Sequence, residues 1–360
     1  DVIHGFKTIF PIPLGQAASW DPELIEQAAS VAAREAAASG INWTFAPMID
    51  ITRDPRWGRI AESPGEDPHL CSVLGAAMVR GFQGERLSDT GSIAACAKHF
   101  AGYGAVEGGL DYNTANIPEN ELRNVYLQPF KAAADAGAVT FMTSFSDLNG
   151  VPASGNEFLM RQVLRTEWGF GGFVVSDWES IKELTVHGFT ANDSEAAFEA
   201  ANAGVDMEMA SSVYRDHLPA LLESGRLQES QIDEMVCNIL KVKFALGLFE
   251  NAFTDPHGFP RLVNDEHRDL AKAVATKSCV LLKNDGAVLP LSLESTADIA
   301  VIGPLADDGY EQLGTWIFDG ESHHSHTCLR AISDLAGDRA RVHWVPAMRS
   351  SRCRENAGIE

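Results

Sequence analysis

The stretch Gly172-Phe173-Val174-Val175-Ser176-Asp177-Trp178 decides how this chain is read. Its centre is a short apolar run of β-branched and aromatic residues between turn formers, the signature of a strand buried on both faces. An acidic residue and a tryptophan follow at its C-terminal end. Working outward, similar runs occur at 41–50 (INWTFAPMID), 92–99 (SIAACAKH), 138–144 (AVTFMTS) and 204–209 (GVDMEM). Stretches with helical periodicity lie at 22–39, 118–136, 195–203 and 230–246. The first of these opens with Asp21-Pro22, a cap followed by proline at the first helical position. Strand then helix, repeated over about 250 residues, predicts parallel strands with crossover helices, and that length suits a (β/α)8 TIM-like barrel.

Residues 251–261 (NAFTDPHGFPR) are rich in turn formers. A helical run at 267–276 follows, then short strands at 279–282 (CVLL) and 299–302 (IAVI). The expected organisation is a barrel over 1–250 with its first strand truncated, a linker over 251–275, and over 276–360 the first part of an α/β/α sandwich domain. The chain opens at Asp1-Val-Ile-His-Gly, inside a motif, and the native polypeptide is expected to be longer.

Lys and Arg number 28 against 50 Asp and Glu, a net charge of −22, which argues against nucleic-acid binding through a basic face. No apolar run reaches the length of a membrane span. The six cysteines, at 71, 96, 237, 279, 328 and 353, show no C-x-x-C pairing and are read as reduced, several of them buried. Nothing in the composition implies a cofactor. His323, His324 and His326 lack partner ligands in sequence and are read as a solvated loop rather than a metal site. Asn42-Trp43-Thr44 has the pattern of a glycosylation acceptor but falls within a predicted buried strand.

Polar residues gather where the strands end: Arg53 and Arg59, Lys98 and His99, Asp177, Glu208. In parallel barrels the C-terminal strand ends carry the chemistry. A carboxylate at such an end can attack an anomeric carbon. Lys98 and the arginines, if they converge, would hold its pKa down. Trp178 offers an aromatic face beside it. The alternative for Asp177 is a helix cap, and for Lys98-His99 a surface strand end. The run 53–59 (RDPRWGR) with Glu62 supplies guanidinium forks suited to hydroxyls, while some of its arginines serve internal salt bridges. Met207 and Met209 read as barrel lining, with Met209 placed to pack near a ligand.

Together these motifs resemble glycoside hydrolase family 3, over nearly the whole chain. DVIHG, FPIPLG, APMIDITRDPRWGR with its following ES, AKHFAGYG, LNGVPAS, VLRTEWGFGGFVVSDW and GVDMEM stand in that family's order and spacing. VLLKNDGAVLPL and IAVIGP look like its second, α/β sandwich domain. The run GYGAVEGG at 102–109 is similar to the bacterial periplasmic-type β-glucosidases.

The resemblance implies a retaining, exo-acting glycosidase that releases terminal β-linked glucose, with a β-xylosidase or mixed exo-glycosidase as the rival and a catalytically silent carbohydrate-binding barrel as the remote one. An aldolase- or isomerase-type barrel would need a Schiff-base lysine or a phosphate loop that the sequence does not clearly show. Asp177 matches the nucleophile. Asp1, Arg59, Lys98 and His99 match the residues that bind the glycosyl unit, and Trp178 the next subsite; Met209 joins them as a substrate contact. Cis peptides are expected around Lys98, His99 and Phe100. No metal or cofactor is implied, the partner is a β-glucoside or oligosaccharide, a homodimer is left open, and a periplasmic or secreted location is favoured over a cytoplasmic one. Three departures stand out. Phe145 replaces a tyrosine that relatives carry near the nucleophile. The loop 110–113 (LDYN) lacks the histidine of the amino-sugar branch. The acid/base glutamate of the two-domain branch is expected beyond Glu360.

Overall fold

A computed structural model of the chain describes residues 1–347. Cys353 and the last part of the expected second domain lie outside the described residues.

Four strands carry a continuous parallel ladder: β1 (Cys96–Phe100), β2 (Thr140–Thr143), β5 (Phe173–Trp178) and β6 (Met207–Met209), in the order β1-β2-β5-β6. Between β2 and β5 the chain makes a small antiparallel hairpin, β3 (Asp147–Leu148) and β4 (Val151–Pro152). Ala97 pairs with Phe141, Phe141 with Val174, and Val175 with Met207. β1 and β2 are buried throughout, and β5 is buried until Trp178, which explains their unbroken apolar runs. The parallel α/β architecture is the one the strand-then-helix repeat predicts. Among the described residues no hydrogen bonds close this ladder into a ring.

The predicted strand 41–50 is a correction. It runs beside β1 and bonds to it, with Thr44 N–H donating to Ala94, Cys96 N–H to Ala46 and Ile49 N–H to Lys98, yet it forms only isolated bridges at Trp43 and Met48. Pro47, after a cis bond from Ala46, has no N–H and breaks the ladder. Asn42 is exposed rather than buried, while Thr44 is buried and its hydroxyl accepts from Val2 N–H at 3.0 Å.

The helices pack outside this array. Pro22–Ala38 is capped by Asp21, whose carboxylate accepts from Leu24 N–H, and buries an alanine-rich face. That face meets Pro68–Gln83, capped in the same way by Asp67, a helix without a predicted counterpart. The two backbones approach closely at Gly81, where a Cβ would lie 2.4 Å from the Glu26 carbonyl oxygen. The helices Asp193–Ala203, Glu229–Ala245 and Asp265–Lys277 agree with the predicted runs to within a few residues. The run 118–136 is helical but broken into short segments, with Gln128–Asp135 its longest α-helical piece.

In the C-terminal region β7 (Asp298–Ile302) pairs in parallel with β8 (Arg341–Val345). The expected strand 279–282 is not one. Val280, Leu281 and Leu282 are exposed and make no ladder among the described residues, where no neighbouring strand receives their hydrogen bonds. Cys71 and Cys96 are buried, Cys237, Cys279 and Cys328 exposed, and all five are free thiols.

Candidate active site

Parallel strands end on one side of their sheet, so β1 and β5 deliver Lys98, His99 and Asp177 to a common place. Asp177 lies at the penultimate position of β5, where its carboxylate Oδ1 accepts from the N–H of Trp178 at 2.7 Å. Its Oδ2 faces His99 Nε2 at 3.4 Å. The other ring nitrogen of His99, Nδ1, lies 2.9 Å from Asp50 Oδ2, and that oxygen also accepts from the His99 backbone N–H at 2.9 Å. Lys98 Nζ donates to Asp1 Oδ2 at 3.0 Å, bringing the chain's first residue into the cluster. The Lys98–His99 and Phe100–Ala101 peptide bonds are cis, as expected around this run.

Arg59 completes the constellation. Glu62, itself buried, grips its guanidinium with two bonds of 2.8 and 2.9 Å, a bidentate clamp. The rings of Tyr103 and Trp316 lie 5.7 and 5.5 Å from the same guanidinium, and Trp316 also lies 5.8 Å from Lys98 Nζ. Arg53 and Arg56 pair instead with Glu121 and Asp54, as structural salt bridges. Five buried polar atoms here have no protein hydrogen-bond partner among the described residues: Asp1 Oδ1, Asp50 Oδ1, His99 Nε2, Asp177 Oδ2 and the Tyr103 hydroxyl. Buried polar atoms are normally satisfied, so such a cluster marks a place that can receive a polar ligand.

Burial dominates the electrostatics. Asp177 is pushed up to about 6 by desolvation, against the pull of Lys98 and Arg59. This reverses the expected direction: the cations do converge, but removing the carboxylate from water outweighs them. Asp50 is raised further, to about 7, again by burial. Lys98 falls to about 8 through burial and the nearby Arg59. Burial, with Arg59 and Lys98, holds His99 well below its ordinary value, so the ring is neutral.

The structure thus brings together Asp1, Arg59, Lys98, His99 and Asp177. Trp178 stands exposed at the rim. Met209 pairs with Trp178 in the ladder, its N–H donating to Ser176 Oγ. Glu208 turns away, its carboxylate accepting from Val213 and Tyr214 N–H at the start of the helix Val213–Glu223. Phe145 is buried against Tyr103 and Tyr112, whose ring centroids lie 5.8 and 4.6 Å away. Sequence reasoning missed Asp50, Tyr103 and Trp316 as members of the site. Asp50 sits inside an apolar run, an isolated charge that could have been noticed. Trp316 comes from the C-terminal region and carried no local signal. The histidine run does gain a partner, since Glu321 stands beside His323 and His324, but all three are exposed and Lys7 Nζ holds the other oxygen of Glu321 at 3.2 Å.

Residues 1–242 match the glycosyl hydrolase family 3 N terminal domain, and residues 279–357 its C-terminal domain. The chain is 43% identical over 348 residues to a periplasmic β-glucosidase of Salmonella typhimurium, covering 95% of this chain and 45% of that protein. A β-xylosidase of Formosa agariphila is 37% identical, covering 95% of this chain and 50% of that one. The β-glucosidase of Listeria innocua in complex with glucose superposes with a TM-score of 0.91 at 43% identity, covering 98% of this chain and 49% of that one. A mutant of the same enzyme was solved with laminaribiose. The chain therefore spans about half the length of these relatives. With the motifs in order, the clustered carboxylates and cations, and matches at both ends, the chain belongs to glycosyl hydrolase family 3.

Proposed function

We propose that the protein is an exo-acting β-glucosidase that removes terminal β-linked glucose from β-glucosides and cello-oligosaccharides with retention of configuration. One observation carries this reading: Asp177 converges with Asp1, Arg59, Lys98 and His99 around buried polar atoms that no group among the described residues satisfies. Asp177 attacks the anomeric carbon and forms a glycosyl-enzyme. With a pKa of about 6 it is mostly ionised at pH 7. Asp1, Arg59, Lys98 and His99 hold the ring hydroxyls, in contacts that strengthen as the oxocarbenium-like transition state forms. Trp178 and Met209 border the position of the leaving group. A glutamate beyond residue 360 acts as acid and then base, about 5–5.5 Å from Asp177 in the assembled site. The division into a barrel over 1–250, a linker over 251–275 and a sandwich domain from 276 is supported by where the two family matches fall. The periplasmic relative supports a periplasmic or secreted location, and no helix among the described residues is long and apolar enough to cross a membrane.

The xylosidase relatives support a second reading, in which the sugar lacks the hydroxymethyl group. One experiment separates the readings. The native full-length protein is given aryl β-glucoside and β-xyloside in turn while proton NMR follows the first sugar released. Release of β-glucose before its α-anomer supports the proposal. Preference for the xyloside moves the substrate, initial α-anomer contradicts retention, and inertness toward every glycoside leaves a silent binding barrel.

A further inference from the structure

Asp50 uses a single carboxylate oxygen to accept two bonds from one residue, the backbone N–H and the ring of His99, both at 2.9 Å. It is fully buried, on a segment that carries no other part of the cluster. The His99 ring makes one short contact, at Nδ1, and one long one, the 3.4 Å approach of Nε2 to Asp177 Oδ2. A neutral imidazole has one N–H to give. The short side marks where that hydrogen lies, and the long side is the separation of two facing acceptors. We propose that Asp50 is a positioning residue: it locks His99 as the Nδ1–H tautomer, so that Nε2 is a bare acceptor beside Asp177, poised to take a hydrogen bond from a hydroxyl of the bound sugar. The inference rests on the glycosidase reading for the identity of that donor, but not for the tautomer.

The surroundings support it. Around the pair stand Arg59 and Glu62 from the turn Gly58–Glu62, Lys98 on the same strand, Asp177 on β5, Tyr103 on the following turn, Asp1, and Cys71 from the helix behind. Two cations close to a buried ring oppose an imidazolium, leaving the choice between the two neutral tautomers. Asp50 decides that choice, because the oxygen it turns toward Nδ1 accepts rather than donates.

The test is made on the native full-length protein labelled with 15N-histidine. Long-range proton–nitrogen spectra report the tautomer, and the His99 signal is assigned by its loss in His99→Gln. The expected result at pH 8 is the Nδ1–H form. An imidazolium or an Nε2–H form at pH 8 overturns the inference, and this reading needs no variant of Asp50 to fold. In kinetics, Asp50→Ala lowers kcat/KM about 10- to 100-fold on an aryl β-glucoside, and Asp50→Asn, which keeps an oxygen acceptor, restores most of it. In the His99→Gln background Asp50→Ala has little further effect, because the carboxylate acts through the ring. Additive losses overturn the inference while leaving the glycosidase reading intact. Failure of the unmodified protein to cleave any β-glycoside sinks that reading instead, and the spectra still decide the tautomer.

Discussion

Among the described residues two buried carboxylates each touch a histidine Nδ1, and they differ in how they are satisfied. Glu35, on the helix Pro22–Ala38, accepts from the N–H groups of Lys7, Thr8 and Val263, from the Thr8 hydroxyl and from His267 Nδ1, all within 3.0 Å. Burial alone would raise its pKa, but these donors outweigh desolvation and the net shift is downward. Among the described residues the Asp50 carboxylate receives bonds only from His99 and its second oxygen has none, and its pKa is driven up to about 7. Asp177, with one backbone donor and one bare oxygen, is driven up as well. Glu35 is a structural hub that ties the N-terminal loop and the helix Asp265–Lys277 to the α/β body. Asp50 and Asp177 are left under-satisfied, the condition in which a carboxylate can respond to a ligand. Equal burial therefore does not imply equal role, and the count of donors separates the two.

The largest expected effect lies on the under-satisfied side. Asp177→Asn lowers kcat on an aryl β-glucoside by at least about 10⁴-fold, without lowering Tm at pH 8. Loss of activity together with loss of stability would blur the contrast between site and hub. On the satisfied side, Glu35→Gln removes one acceptor oxygen and the charge from the hub. It costs about 3 kcal/mol at pH 7, or roughly 6–12 °C in Tm, while kcat/KM of the surviving folded protein changes little. A Tm within a degree or two of the parent would show that the hub does not hold the fold.

The two carboxylates also give opposite pH dependences of stability. For Glu35 the folded-state pKa is depressed, so its contribution is present above the ordinary glutamate value and is lost as pH falls through the folded value. For Asp50 and Asp177 the folded-state pKa is raised, so the folded state binds more protons than the unfolded state between about pH 4 and pH 7 and stability falls as pH rises through that window. Asp50→Asn, which removes one of these burdens, raises Tm at pH 8 by clearly more than it does at pH 5. Thermal melts across that range check the sign, and a lower Tm at pH 8 would contradict it. On the proposed mechanism the acid limb of kcat/KM falls near pH 6, since an attacking Asp177 has to be ionised. The smallest effect belongs to the surface. Arg123 bridges Glu119 and Glu167 with both acids partly or largely exposed, and Arg123→Ala shifts stability by about 0.5 kcal/mol or less.

How much of this could be read in the sequence follows the same physics. β1, β2 and β5 were legible because strands buried on both faces must be continuously apolar, and Lys98, His99 and Asp177 stood out as charges ending such runs. The segment 41–50 misled because its composition fits a strand while Pro47 cannot donate. Leu281 and Leu282 misled because an apolar run says nothing about whether a neighbouring strand is present. Trp316 and the Glu35–His267 contact were illegible because they join residues far apart in the chain, 232 positions in the second case. The direction of the Asp177 shift was missed because sequence shows which cations can gather, not how completely water is excluded once they do.

Trapping a covalent intermediate decides whether Asp177 is the nucleophile. The native full-length protein is incubated with a 2-deoxy-2-fluoro-β-glucoside bearing a good leaving group, and the labelled peptide is mapped by mass spectrometry. The expected result is a fluoroglucosyl adduct on Asp177, with none on Asp50 or Glu35. An adduct on any other carboxylate would contradict it.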